Sequence, residues 1–246
     1  MMKDSKTLIY DGSFNGFLTA IFAAFEKNNV VDIQRNSQEQ NELFSETETI
    51  FTNVEQAKRV WNGIRSKSHN AITNVYFAFL SEAEGIESML FSYIQKLMVS
   101  KTGILDYTDD VLRIGQLARS VRREKQRMEA SVCFQLTKDD IHFATVASDF
   151  DILPLISKHF RNRYANQQWL IYDIKRKYGI FYTLSHVELV SLNLEEVFCA
   201  GKHDSQTFWN NDIKTIPIKS QINRKLLTQR TAKRHWRYLS EKKETA

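Results

Sequence analysis

From Phe14 to Phe25 the apolar residues Phe14, Phe17, Leu18, Ile21, Phe22 and Phe25 fall at i, i+3, i+4, i+7, i+8 and i+11, one stripe along a helix. The short apolar run TLIYD at 7–11 precedes it and reads as a strand. Ser13 sits where a hydroxyl can accept from a free first-turn amide. Residues 28–53 are polar and loop-like, with one strand expected at ETIFT, 48–52. Asn53 is positioned to cap a helix carrying Ala57, Val60, Trp61 and Ile64. Residues 70–100 give two apolar helices broken near Glu84-Gly85. Residues 108–128 form a long amphipathic helix, with Asp109 and Asp110 in the first turn where the dipole favours acids. Phe17, Phe22, Trp61, Phe79 and Leu117 are expected to be buried.

At residue 130 the period changes. ASVCFQLT, the turn KDD and IHFATVAS read as a hairpin, and residues 151–164 as a helix. WLIYDIKRKYGIFYTLSHVELVSL then gives two or three strands with a turn near Arg176–Gly179, and residues 194–240 return to helix. Helices followed by grouped strands predict α+β. The expectation is one domain over 1–246. Its parts are a helical region to 128, a central antiparallel sheet with a helix between hairpins over 129–193, and a basic helical segment over 194–246.

The chain has 246 residues, 42% of them hydrophobic, which suffices for a packed core and argues against disorder. Its net charge of +5 is unevenly placed. Residues 214–240 hold eight Lys/Arg and no acid. With 241–246 neutral, the remaining 213 residues sum to −3. A local patch of one sign suits a polyanionic partner, though a solvated terminal helix carries charge as well. The N-terminus lacks a signal-peptide core and no apolar run is long enough to span a membrane, so a soluble cytoplasmic protein without membrane contact is expected. The two cysteines, Cys133 and Cys199, have no metal-ligand spacing. Cys133 is expected to be a small buried hydrophobe in a strand.

Candidate chemistry is sparse. Gly12 and Gly16 match neither a dinucleotide fingerprint nor a P-loop, so the YDGS junction reads as a capped strand–turn–helix, with one anion at the helix start as the functional alternative. Asp149 and Asp151 flank Phe150 at a strand-to-helix junction, where one would cap the helix or both hold a metal. The six histidines show no ligand spacing, and neither a metal site nor a cofactor is expected. His159 lies among basic residues and could touch phosphate.

The stronger constellation is basic. Arg119, Arg123 and Arg127 recur every four residues on one helix face, and Arg161 and Arg163 close a second helix. The tail adds Arg230, Lys233, Arg234 and Arg237 among His235, Trp236 and Tyr238. Arginines interleaved with stackable rings suit nucleic-acid backbones and unstacked bases.

YDGSFNGFLTAIFAAFE, VRREKQRM, FATVASDFDILPLISKHFRNRYANQQWLIYDIKRKYGIFY and NRKLLTQRTAKRHWRYLSE together resemble a bacterial family assigned to DNA metabolism. The resemblance spans nearly the whole chain. It rests on Tyr10, Asp11, Gly12, Ser13, Glu124, Arg127, Asp149, Asp151, Pro154, His159, Phe160, Arg163, Asp173, Arg176, Lys233, Arg234 and Trp236. Members are typically encoded beside a radical-SAM protein likened to DNA repair enzymes. The resemblance therefore implies a pathway and a partner more than a mechanism. Some members carry an added uracil-DNA-glycosylase-like domain, which has no counterpart in residues 1–246, so that activity is not carried over. Gln126 and Ala232 stand where the family often has His and Pro. The first departure counts against a catalytic role for its helix.

The expectation is an accessory DNA-binding protein working with a radical-SAM partner. Its contacts would be Arg119, Arg123, Arg127, His159, Arg163, Arg176, Arg230, Lys233, Arg234 and Arg237. An enzyme using Asp11, Glu124, Asp149 or Asp173 is one alternative, and a protein-interaction adaptor another.

Overall fold

A computed structural model describes residues 6–27, 30–36, 46–100, 108–192 and 222–223. By its contacts the chain divides into two compact units, one up to Arg122 and one from Arg123. The division falls inside a helix.

The first unit opens with β1 (Lys6–Tyr10), α1 (Phe14–Lys27), β2 (Val30–Arg35) and β3 (Glu46–Thr49). β1 lies between β2 and β3 and pairs parallel with both. A parallel sheet in the N-terminal half was not expected there. β2 escapes the period-two pattern because VVDIQR does not alternate cleanly, and only Ile33 is fully buried. Then come α2 (Val54–Lys67), α3 (His69–Phe79), α4 (Ile86–Val99) and α5 (Asp109–Ser131). Asn53 caps α2 as predicted, its Oδ1 accepting from the amides of Glu55 and Gln56 at 3.0 and 3.3 Å.

Phe14 organises this unit's core, with Tyr76 and Phe79 at 4.9 and 5.0 Å between ring centroids and Trp61 edge-on at 6.0 Å. Phe17 and Phe79 are buried as expected, but Phe22, Trp61 and Leu117 are only half-buried. Phe22 marks the edge of the α1 stripe, where the Arg59 guanidinium covers its ring at 5.9 Å in place of core atoms.

The second unit contains the end of α5, then β4 (Gln135–Leu136), β5 (His142–Val146), α6 (Leu153–Arg163), β6 (Trp169–Asp173), β7 (Tyr178–Tyr182), β8 (Val187–Leu192) and β9 (Ile222–Asn223). The strands lie in sequence order in one sheet. All neighbours are antiparallel except β5 and β6, which the α6 crossover makes parallel. The sheet is thus mixed rather than wholly antiparallel, within the expected α+β class. Trp169, Phe160, Ile171 and Ile180 are fully buried in its core.

α5 runs through Ser131 and consumes the residues expected to start a strand, so the β4–β5 hairpin is short. Cys133 falls in the link before β4 and is exposed, not buried. Within 194–240, expected to be helical, the described residues 222–223 form strand β9. Cys199 and the tail cations Arg230, Lys233, Arg234 and Arg237 lie outside the described residues. Among the described residues, no helix is long and apolar enough to cross a membrane.

Candidate functional site

The parallel pairing of β5 and β6 brings two carboxyl ends together, Val146 opposite Asp173. Loops leaving the carboxyl ends of parallel strands are the usual place for ligands in open α/β sheets. Here they are residues 147–152, leading to α6, and the tight turn 174–177, leading to β7.

Asp173 ends β6 with none of its side chain exposed. Its Oδ1 accepts from the amides of Lys175 and Arg176 at 2.9 and 3.2 Å, which shapes the turn. Its Oδ2 accepts from Arg176 Nη1 at 2.9 Å. The same guanidinium donates to the carbonyls of Ser148 and Asp149 at 3.0 and 3.1 Å, tying the two loops into one body. Burial holds the Asp173 carboxyl above the ordinary carboxylate range, and the Arg176 charge opposes that shift.

α5 adds a second carboxylate. Glu124 is nearly buried and accepts from the Ser148 hydroxyl at 3.1 Å and from Arg127 Nη2 at 2.6 Å. Ser148 Oγ also accepts from the Phe150 amide at 3.2 Å. On the outer side, Lys175 pairs with Asp149, and that contact pulls the Asp149 carboxyl below its ordinary value. Arg127 and Lys175 keep 62% and 50% of their side chains exposed, and Asp149 is exposed beside Lys175, while the buried Glu124 and Asp173 position the loops.

Five sequence-predicted residues therefore meet: Glu124, Arg127, Asp149, Asp173 and Arg176. Asp151 goes elsewhere; it is buried and receives the Tyr178 hydroxyl. It does not cap α6, which starts after Ile152 with no side-chain cap. The exposed Asp149 and buried Asp151 thus face different surroundings and form no carboxylate pair. Among the described residues, no group of three or more His, Cys, Asp or Glu is arranged to hold a metal ion. His159 is half-buried and turned toward Glu129, its Nδ1 3.9 Å from that carboxylate. Arg119 and Arg123 are exposed along α5, and Arg163 is exposed with its guanidinium 5.8 Å from the Tyr164 ring. Ser148 and Lys175 were missed. The turn signature Asp173-x-Lys175 could have revealed the lysine, because an Asp opening a tight turn binds the amide two residues on.

The remaining acidic candidate, Asp11, belongs to the first unit. Its Oδ1 accepts from the Ser13 amide at 2.9 Å and its Oδ2 from the Thr52 hydroxyl at 2.8 Å. Ser13 Oγ accepts from the Gly16 amide at 2.8 Å. The anion position at the start of α1 is thus taken by the chain's own Asp11 carboxylate. Gly12, at φ 75°, makes the turn that returns it there.

The two units define an α+β protein whose β5–α6–β6 crossover carries a buried carboxylate–arginine cluster at its carboxyl end. The chain belongs to the family described as Domain of unknown function, DUF4130, which matches residues 84–241. That stretch contains every residue of the Asp173 cluster, and Asp11 lies outside it. No curated protein matches the chain.

Proposed function

We propose that the protein binds the sugar–phosphate backbone of nucleic acid, as an accessory factor in DNA metabolism acting with a radical-SAM partner. The pathway and the partner rest on the family resemblance alone. The observation that carries the binding is the pair of solvent-facing cations, Arg127 and Lys175, mounted on a scaffold that the buried Glu124 and Asp173 hold in place. A guanidinium has five N–H donors in a planar fork, so Arg127 can keep its bond to Glu124 and still offer donors to a phosphate. Fixing the loops in advance lowers the ordering cost of binding. Lys175 neutralises Asp149, the one exposed carboxylate of the cluster, and Arg123 and Lys177 add exposed positive charge.

The same geometry disfavours two of the four acidic candidates as catalysts. Asp173 is wholly buried and accepts three hydrogen bonds, and Glu124 accepts two. These carboxylates hold loops and present little surface to a substrate.

Fluorescence anisotropy on labelled single- and double-stranded DNA, with wild type, Arg127→Gln and Lys175→Gln, tests the reading. Each variant should weaken binding about evenly across sequences and lower the salt slope by about 1. Variants that bind as wild type does would refute this surface as the contact.

A further inference from the structure

The β6–β7 turn opens with Ile174, a large apolar side chain 42% exposed. A single exposed isoleucine is ordinary on a protein surface. Its mounting here is not. The Ile174 amide donates to the Val146 carbonyl at 3.0 Å, which pins the residue to the end of β5. Asp173 fixes the amides of Lys175 and Arg176, and the Arg176 guanidinium fastens the turn to the loop after β5 through two contacts and to Asp173 through a third. Lys177 closes the turn at φ 55°, a conformation few non-glycine residues adopt. Lys175 and Lys177 are exposed on either side of the fastened Arg176. An apolar side chain on a fixed backbone is thus presented beside the cations that follow it in the turn.

We propose that Ile174 is a wedge that enters a weakened base step in duplex DNA while the neighbouring lysines hold the backbone. Proteins that kink duplexes insert such apolar side chains between base steps, beside basic contacts to the phosphates. Opening a step costs stacking and pairing energy, and costs least where a base is missing, mismatched or damaged. The wedge therefore selects a substrate class, duplexes with an unpaired or absent base, which the cations alone cannot distinguish. The inference rests on the nucleic-acid reading above.

The test uses the full chain and two labelled duplexes of one sequence, one intact and one with a central abasic site, with 2-aminopurine beside that position. Wild type should prefer the abasic duplex by about tenfold and raise the 2-aminopurine fluorescence as the step opens. Ile174→Ala should bind the intact duplex as wild type does but lose the preference and the fluorescence rise. Ile174→Phe should retain both. If Ile174→Ala keeps the preference, or wild type binds both duplexes equally, the wedge is refuted and backbone binding stands. If neither duplex is bound at any salt concentration, both readings fail together.

Discussion

Gly16 shows at the scale of single residues how closely the β1–α1 junction is built. A methyl group there would lie 2.1 Å from Asp11 Oδ1 and 2.9 Å from both Ser13 Oγ and Thr52 Oγ1. Glycine is required because the Asp11 carboxylate packs against the helix start, not because a phosphate does. Gly16→Ala should destabilise by about 1–3 kcal/mol through overpacking, and Ser13→Ala by about 1 kcal/mol through loss of the cap. Thermal melts of both variants check this; unchanged midpoints would mean that the junction is looser than described. The Ser13 and Asn53 caps were legible in the sequence, because each is a short polar side chain just before an apolar stripe. The need for glycine at 16 was not. It depends on where a carboxylate five residues earlier folds back, and no local pattern records that.

Helix periods were the most legible feature among the described elements, since most of each stripe packs, although Phe22 is half-buried and Phe25 exposed at the end of the α1 stripe. The failures share a cause. β2 is an edge strand of mixed polarity, and α5 extends to Ser131 across a stretch whose apolar residues also suit a strand. The parallel β5–β6 pair was hidden as well, because the α6 crossover and a hairpin leave similar apolar runs. That pair is what gathers the cluster, so the residue types could be named from sequence but not their grouping. Arg176 tests the cluster's internal logic. Arg176→Ala leaves Asp173 buried without its charge partner and should cost about 3 kcal/mol. Arg127→Ala, at an exposed position, should destabilise less than Arg176→Ala. The pH dependence has a definite sign. Asp173 already titrates above its ordinary value when folded, so the folded state holds its proton longer than the unfolded chain. Its ionisation therefore erodes stability as pH rises from the ordinary carboxylate value through the raised one. Removing Arg176 raises the folded value further. The variant's deficit should be largest near neutrality and shrink as pH falls to the ordinary carboxylate value. Denaturant unfolding across that range reads this out, and a deficit that does not vary with pH would contradict the assigned role of Arg176.

The whole chain confines its positive excess to 214–240, a stretch of which only 222–223 are described, and adds exposed cations along α5 and at the β6–β7 turn. Charge layout is legible in any sequence; which cations share a binding track is not, because that needs the fold. The central claim is that these cations contact nucleic-acid phosphates, and counterion release gives it a direct quantitative test. If about 5 duplex phosphates are neutralised, the logarithm of the association constant should fall with the logarithm of salt concentration at a slope near −4.5. The deciding measurement is duplex-DNA anisotropy over a series of salt concentrations, with wild type and a variant reversing Arg230, Lys233, Arg234 and Arg237 together. The account predicts a steep slope for wild type and the loss of most of it in the variant, with the melting temperature preserved. An affinity independent of salt, or a variant indistinguishable from wild type, would contradict it and favour a protein-interaction adaptor.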